Sequence, residues 1–131
     1  MEKKDRQPEH ERWAARARYD LRTAQAMFKS GRWLYVLFCC QQAVEKMIKS
    51  IIIKKTGELA PRSHDLTRLA GLAELETSED QRELLLDLTN YYIESRYPDQ
   101  ISKLSARVSS ASAKDFLKQT KEIMRWLSST A

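Results

Sequence analysis

The sequence predicts an all-α protein, an antiparallel up-and-down bundle of four main helices plus a short extra helix. Three observations carry this. Only three Gly and three Pro occur in 131 residues, and they fall where helices begin or end. Between them, apolar residues recur every three or four positions, the spacing of one helix face. No internal repeat or low-complexity segment interrupts that pattern.

Each element follows in turn. Pro8 suits the first turn of a helix, and Trp13, Ala17, Leu21, Ala24 and Phe28 then form one apolar stripe that Ser30 and Gly31 end. A second helix is expected from Trp33 to Thr56, stopped by Gly57 in the left-handed conformation. Its opening run WLYVLFCC is wholly apolar, and over eight residues a strand reads the same way. Val44, Ile48, Ile51 and Ile52 continue at helical spacing, which favours a central helix.

Pro61 opens a loop, and Ser63 is expected to cap a short third helix carrying Leu66, Leu69 and Leu72. Thr77 or Ser78 caps a fourth, with Glu79 and Asp80 in the first turn where the helix dipole favours acids. Its stripe is Leu84, Leu85, Leu88, Tyr91 and Tyr92, and it should end before Pro98. A polar stretch, Asp99 to Ser110, leads to a last helix starting at Ser112, with Asp115 three residues on and Phe116, Thr120, Ile123 and Leu127 as its stripe.

Composition bounds the rest. With 42% hydrophobic and 31% charged residues, the chain reads as one domain over residues 1–131, with 1–8 as a charged tail, long enough to bury most of what it exposes unfolded. The net charge is +5. Between Glu74 and Asp99 eight acids face two bases, a net of −6, so the remainder carries +11. Adjacent Cys39 and Cys40, with two histidines elsewhere, give no metal-ligand pattern, and no cofactor motif appears. They read as buried free thiols of a reducing cytoplasm. The charged N-terminus lacks an apolar signal core and no run approaches a membrane span, so the expected location is cytoplasmic.

The apolar second helix nevertheless carries Gln42, Glu45, Lys46 and Lys49 three and four residues apart, on one side. Two readings stand. The side is solvated, with Gln42–Lys46 and Glu45–Lys49 as ordinary pairs, or it lines a groove or a subunit interface.

The segments WAARARYDLRTAQAMFKSGRW, LFCCQQAVEKMIKSIIIKKTG, HDLTRL and YYIESRYPD, in that order, resemble the HEPN family, the higher eukaryotes and prokaryotes nucleotide-binding domain. The resemblance runs from about Trp13 to Leu127. It implies a helical bundle and a homodimer. Many HEPN domains are metal-independent ribonucleases with an Arg, a polar residue, and a His four to six residues beyond the Arg. An imidazole there handles the proton of the attacking 2′-hydroxyl or leaving oxygen, and a guanidinium forks onto the phosphate. Arg96 occupies the arginine region, but Tyr97, Pro98, Asp99, Gln100, Ile101, Ser102 and Lys103 follow, and no His.

In the HDL segment the resemblance implies a helix-start role for Asp65 and a packing role for His64, with His64 a recruited catalytic group if the fold brings it near Arg96. Asp99 is the other substitute acid or base. Arg96 itself has a plain role, complementing the dipole at the end of helix four and pairing with Glu94 or Asp99. Tyr91 and Tyr92 read as core, and Tyr97 as the freer ring for stacking a base.

The expectation is therefore a homodimeric module that binds nucleotide or RNA, or docks a partner, without catalysis. The resemblance implies a minimal nucleotidyltransferase as that partner, in a toxin–antitoxin-like pair. The site expected is Gln42, Glu45, Lys46, Lys49, Arg96, Tyr97 and Asp99, with Lys46 and Arg96 supplying positive charge. The alternatives are a ribonuclease toxin using Arg96, with His64 or Asp99, and a structural helical protein with no ligand.

Overall fold

The structure, a computed structural model, describes residues 8–130. Of the expected charged tail only Pro8 is among them; residues 1–7 lie outside the described residues. Six helices follow in order: α1 Glu9–Lys29, α2 Trp33–Thr56, α3 Leu66–Leu72, α4 Glu79–Glu94, α5 Pro98–Arg107 and α6 Ser110–Thr130. The described residues contain no strand, and WLYVLFCC is helical. None of these helices is long and apolar enough to cross a membrane.

Helix α2 is the centre, packed against each of the other five. Its apolar residues Val36, Leu37, Cys40, Val44, Ile48 and Ile51 are all buried, which explains why so much of its circumference is apolar. Three contacts fix α1 antiparallel beside it. Phe28 meets Trp33 at the turn, with ring centroids 5.3 Å apart. Lys46 bonds Asp20 midway at 2.6 Å. Ser50 donates to the His10 carbonyl at the far end at 2.7 Å. Helices α4 and α6 complete the main bundle, joined by an edge-on contact of Tyr91 and Phe116 at 5.8 Å.

The helix ends follow from local chemistry. Gly57 ends α2 at φ 75°, and its N–H donates to the Ile53 carbonyl; only glycine takes that conformation without steric cost. Ser78 opens α4 with a reciprocal capping box to Gln81, satisfying two otherwise orphaned donors.

Four expectations need correction. Ser63 does not cap α3; Asp65 does, as the HDL resemblance implied, its carboxylate accepting from the N–H groups of Thr67 and Arg68. Ser63 instead accepts from the Asp65 N–H one step earlier. Leu72 is 47% exposed, because α3 stops there before its stripe can be covered. The segment 98–107 is a helix, α5, with Pro98 at its first turn and Leu104 buried. Finally, α6 starts at Ser110, since Ser109 and Ser112 exchange hydrogen bonds of 2.9 and 3.1 Å as a reciprocal cap. Asp115 plays no part in that start; it accepts from Gln119 one turn on.

Cys40 is buried and Cys39 only half-buried; both are free. Burial pushes the Cys40 thiol up to about 12 and raises Cys39 as well, so neither forms the reactive thiolate readily.

The Asp65 cap gives a pH-dependent test. The Thr67 hydroxyl, with the N–H groups of Arg68 and Thr67, holds its carboxyl below the usual range. A depressed native value stabilises the fold above the unfolded value, about 3.9, and that contribution is lost as pH falls through the native one. Asp65→Ala should cost about 1 kcal/mol at neutral pH. Urea unfolding at pH 7 and again well below the unfolded value should show the gap closing.

Candidate functional site

Glu45 sits in the middle of α2 with only 4% of its surface exposed, and Lys49, one turn on, with 6%. A carboxylate in that position must be matched by donors. Its Oε2 accepts from Lys49 Nζ at 2.9 Å. Its Oε1 accepts from Gln41 Nε2 at 3.0 Å and lies 2.9 Å from His64 Nδ1. A carboxylate only accepts, so the hydrogen of that last bond sits on Nδ1, and Nε2 is an acceptor whenever the ring is neutral.

His64 is placed from both sides. Asp65 fixes the start of α3, and Thr89 of α4 accepts from the Leu66 N–H at 3.0 Å. Gln41 Nε2 also donates to the His64 carbonyl at 3.0 Å, tying the loop down on α2. The imidazole meets the Tyr92 ring at 4.9 Å, and Tyr92 stacks on Phe38 at 5.2 Å. The result is a row of three rings along one edge of the bundle, with the His64 side chain 45% exposed. Burial, then the Glu45 charge, raises the Tyr92 phenol, while Arg96 acts to lower it. Arg96 therefore stands near enough to Tyr92 for its charge to be felt.

The expected residues divide into three places. Glu45 and Lys49 are buried in the network rather than solvated, and the Lys49 ammonium lies 5.7 Å from the Trp13 ring centroid. Lys46 does not pair with Gln42; it turns to Asp20 of α1, while Gln42 donates to Gln41 Oε1 at 2.7 Å. Arg96, Tyr97 and Asp99 lie at the turn from α4 into α5, all exposed. Glu94 pairs with Arg107 at 3.5 Å and not with Arg96, whose guanidinium has no ion pair among the described residues. Tyr91 is half-buried against the core, but Tyr92 is a member of the ring row.

Sequence reasoning passed over Gln41, Asp20, Phe38 and Trp13. Gln41 carried a signal, since Gln41, Glu45 and Lys49 recur every fourth residue and so form one row on the helix. The others carried none, their partners being far away in the chain. Among the described residues no group of His, Cys, Asp and Glu is arranged to hold a metal ion.

The described residues form an all-helical bundle whose central helix buries a carboxylate against a histidine from the next loop, and the chain's relatives identify the family. Residues 10–130 match the model of the HEPN domain, and the chain belongs to that family. It is similar to the crystal structure of TT1696 from Thermus thermophilus, with 27% identity and a TM-score of 0.78 over 93% of this chain and 98% of that one. It also shares its fold with ST0689, an archaeal HEPN homologue, at 21% identity and a TM-score of 0.73, over 95% and 98% of the two chains. No curated protein matches it.

Removing one member of the network should be far worse than removing the pair. Glu45→Ala strands a buried ammonium and should cost roughly 3–5 kcal/mol in chemical unfolding. Replacing Glu45 and Lys49 together by Met should recover most of that, and a single-variant loss below about 1 kcal/mol would mean that the pair is effectively solvated.

Proposed function

We propose that the chain is a nucleotide- or RNA-binding module acting as a homodimer, with its ligand held where His64, Tyr92 and Arg96 meet. The observation that carries this is the row His64–Tyr92–Phe38, ring against ring, followed by a guanidinium with no ion pair among the described residues. The exposed rings at the ends of the row, His64 and Phe38, offer surfaces for bases, and an Arg near the row offers a fork for phosphate. Tyr97, 59% exposed, adds a further ring at the same turn. Of the earlier site, Glu45 positions His64, Lys49 completes the network, and Lys46 and Gln42 hold α1 and Gln41. Asp99 flanks the ligand. A minimal nucleotidyltransferase, as the resemblance implies, is the proposed partner in a toxin–antitoxin-like pair.

The bond between Glu45 and His64 favours a second reading, a metal-independent ribonuclease. A buried carboxylate that fixes the tautomer of an exposed imidazole is what a general base needs. Here the His comes from the loop before α3 instead of following Arg96: its ring meets Tyr92, while the Arg96 charge acts on Tyr92 from the end of α4.

One experiment separates the two. Labelled RNA is incubated in EDTA with wild type, Arg96→Ala and His64→Ala, following both binding and cleavage. The module reading expects binding without cleavage, weakened about tenfold or more in Arg96→Ala, the scale of a charged hydrogen bond. Cleavage abolished by either substitution would install the ribonuclease instead. Unchanged affinity in both variants would remove the site.

For the homodimer, Leu86 and Ile93 are exposed on α4 seven residues apart, on one face of the helix, and offer an apolar seam to a second copy. Light scattering at micromolar concentration should give twice the mass of one 15.3 kDa chain, and Leu86→Glu should return it to one.

A further inference from the structure

A cavity of about 360 Å³ opens between the first turns of α2 and the outer helix α5. Its walls are Trp33, Leu34, Phe38, Ile101 and Val108. None of the residues lining it is acidic, and its charged group is Arg32. Phe38 is shared with the ring row, but His64 and Tyr92 take no part in the lining.

The cavity is a consequence of how α5 is held. Of its ten residues only Leu104 is buried, and extended residues, Tyr97 and Val108, bracket it. Leu104 anchors the helix while Ile101, 42% exposed, and Ser105 overhang the gap without filling it. On the other side the turn at Gly31, with φ 76°, brings Arg32 to the mouth. The Arg32 guanidinium has no ion pair among the described residues and is exposed, so its charge is available to a ligand.

We infer that this cavity is a binding site for a small planar aromatic anion, its ring between Trp33, Phe38 and Ile101 and its charge on Arg32. The volume is at the lower end of small-molecule pockets, suited to one fused ring system. Aromatic walls favour a flat apolar body through stacking. A guanidinium at the rim with no competing carboxylate selects an anionic substituent, and its fork suits carboxylate or phosphate alike. The inference goes beyond the proposed function by assigning a second site, whose lining includes neither His64, Tyr92 nor Arg96, and it stands if binding at the first site fails.

The shared chemistry has two sources, a nucleoside monophosphate and an aromatic carboxylate, and the test has an arm for each. Adenosine monophosphate and indole-3-acetate are titrated into the purified protein by calorimetry and by shifts of the tryptophan indole N–H signals, with adenosine and indole as uncharged controls. Saturable binding of at least one anion is expected, about tenfold or more weaker in Arg32→Gln and weaker again for the matching uncharged control. Ser105→Trp, at an exposed position, should fill the gap and abolish binding, with Ile101→Trp as a second filling variant and thermal melts confirming both fold. The anion that binds names the source. No saturable binding of either anion, or binding undiminished in both filled variants, would overturn the site. Arg96→Ala should leave this binding intact while reducing RNA affinity, so the two sites fail separately.

Discussion

The carboxylate of Glu45 is the constraint around which the rest of the molecule is arranged. An anion buried in the central helix of a small bundle is costly unless every lone pair finds a donor. Those donors come from its own helix, through Gln41 and Lys49, and from the loop that precedes α3, through His64. Lys49 in turn needs cover, which Trp13 supplies from α1. One acidic residue thus adds, through Lys49 and Trp13, to the contacts that hold α1 on α2 and ties the loop before α3 to the central helix through His64.

That loop shows how a local choice becomes a functional one. Asp65 caps α3 because it immediately precedes the first apolar residue and its carboxylate reaches the N–H groups of Thr67 and Arg68. Moving the cap from Ser63 to Asp65 leaves His64 one residue outside the helix, with an extended backbone on its C-terminal side and its carbonyl free to accept from Gln41. Had Ser63 been the cap, His64 would lie inside the first turn. The difference of two residues separates a histidine packed on a helix from one presented at an edge.

Much of the fold was legible in the sequence. The stripes of α1, α2, α4 and α6 announced themselves by spacing, and Gly57 and Ser78 are where their chemistry said they would be. The short helix α5 was missed because its composition is polar, although Ile101, Leu104 and Val108 recur at three and four residues behind a proline that starts a helix well. The site was less legible, for a definite reason. A spacing of four reveals partners on one helix, as with Glu45 and Lys49. It says nothing of Asp20 against Lys46 or His64 against Glu45, which meet only because the helices fold back. The apolar run of α2 misled in the same way, since Tyr35 and Phe38 look like core and yet Tyr35 is 57% exposed.

Membership of the HEPN family accounts for the bundle, and Arg96 stands in it without the trailing His that the resemblance led one to expect. Its place beyond Arg96 is taken by α5, which Pro98 begins, with Arg96, Tyr97 and Asp99 exposed at the bend. A second ring is instead brought to the edge by His64, held by a network whose disruption would cost stability as well as position. The two ends of the ring row therefore differ in kind. His64 is fixed by buried charge, whereas Phe38 looks into a gap overhung by a helix with a single buried anchor. Rigid support suits recognition of a fixed geometry and loose cover suits admission of a ligand from solvent, so the two proposed sites would place opposite demands on the two ends of one row of rings.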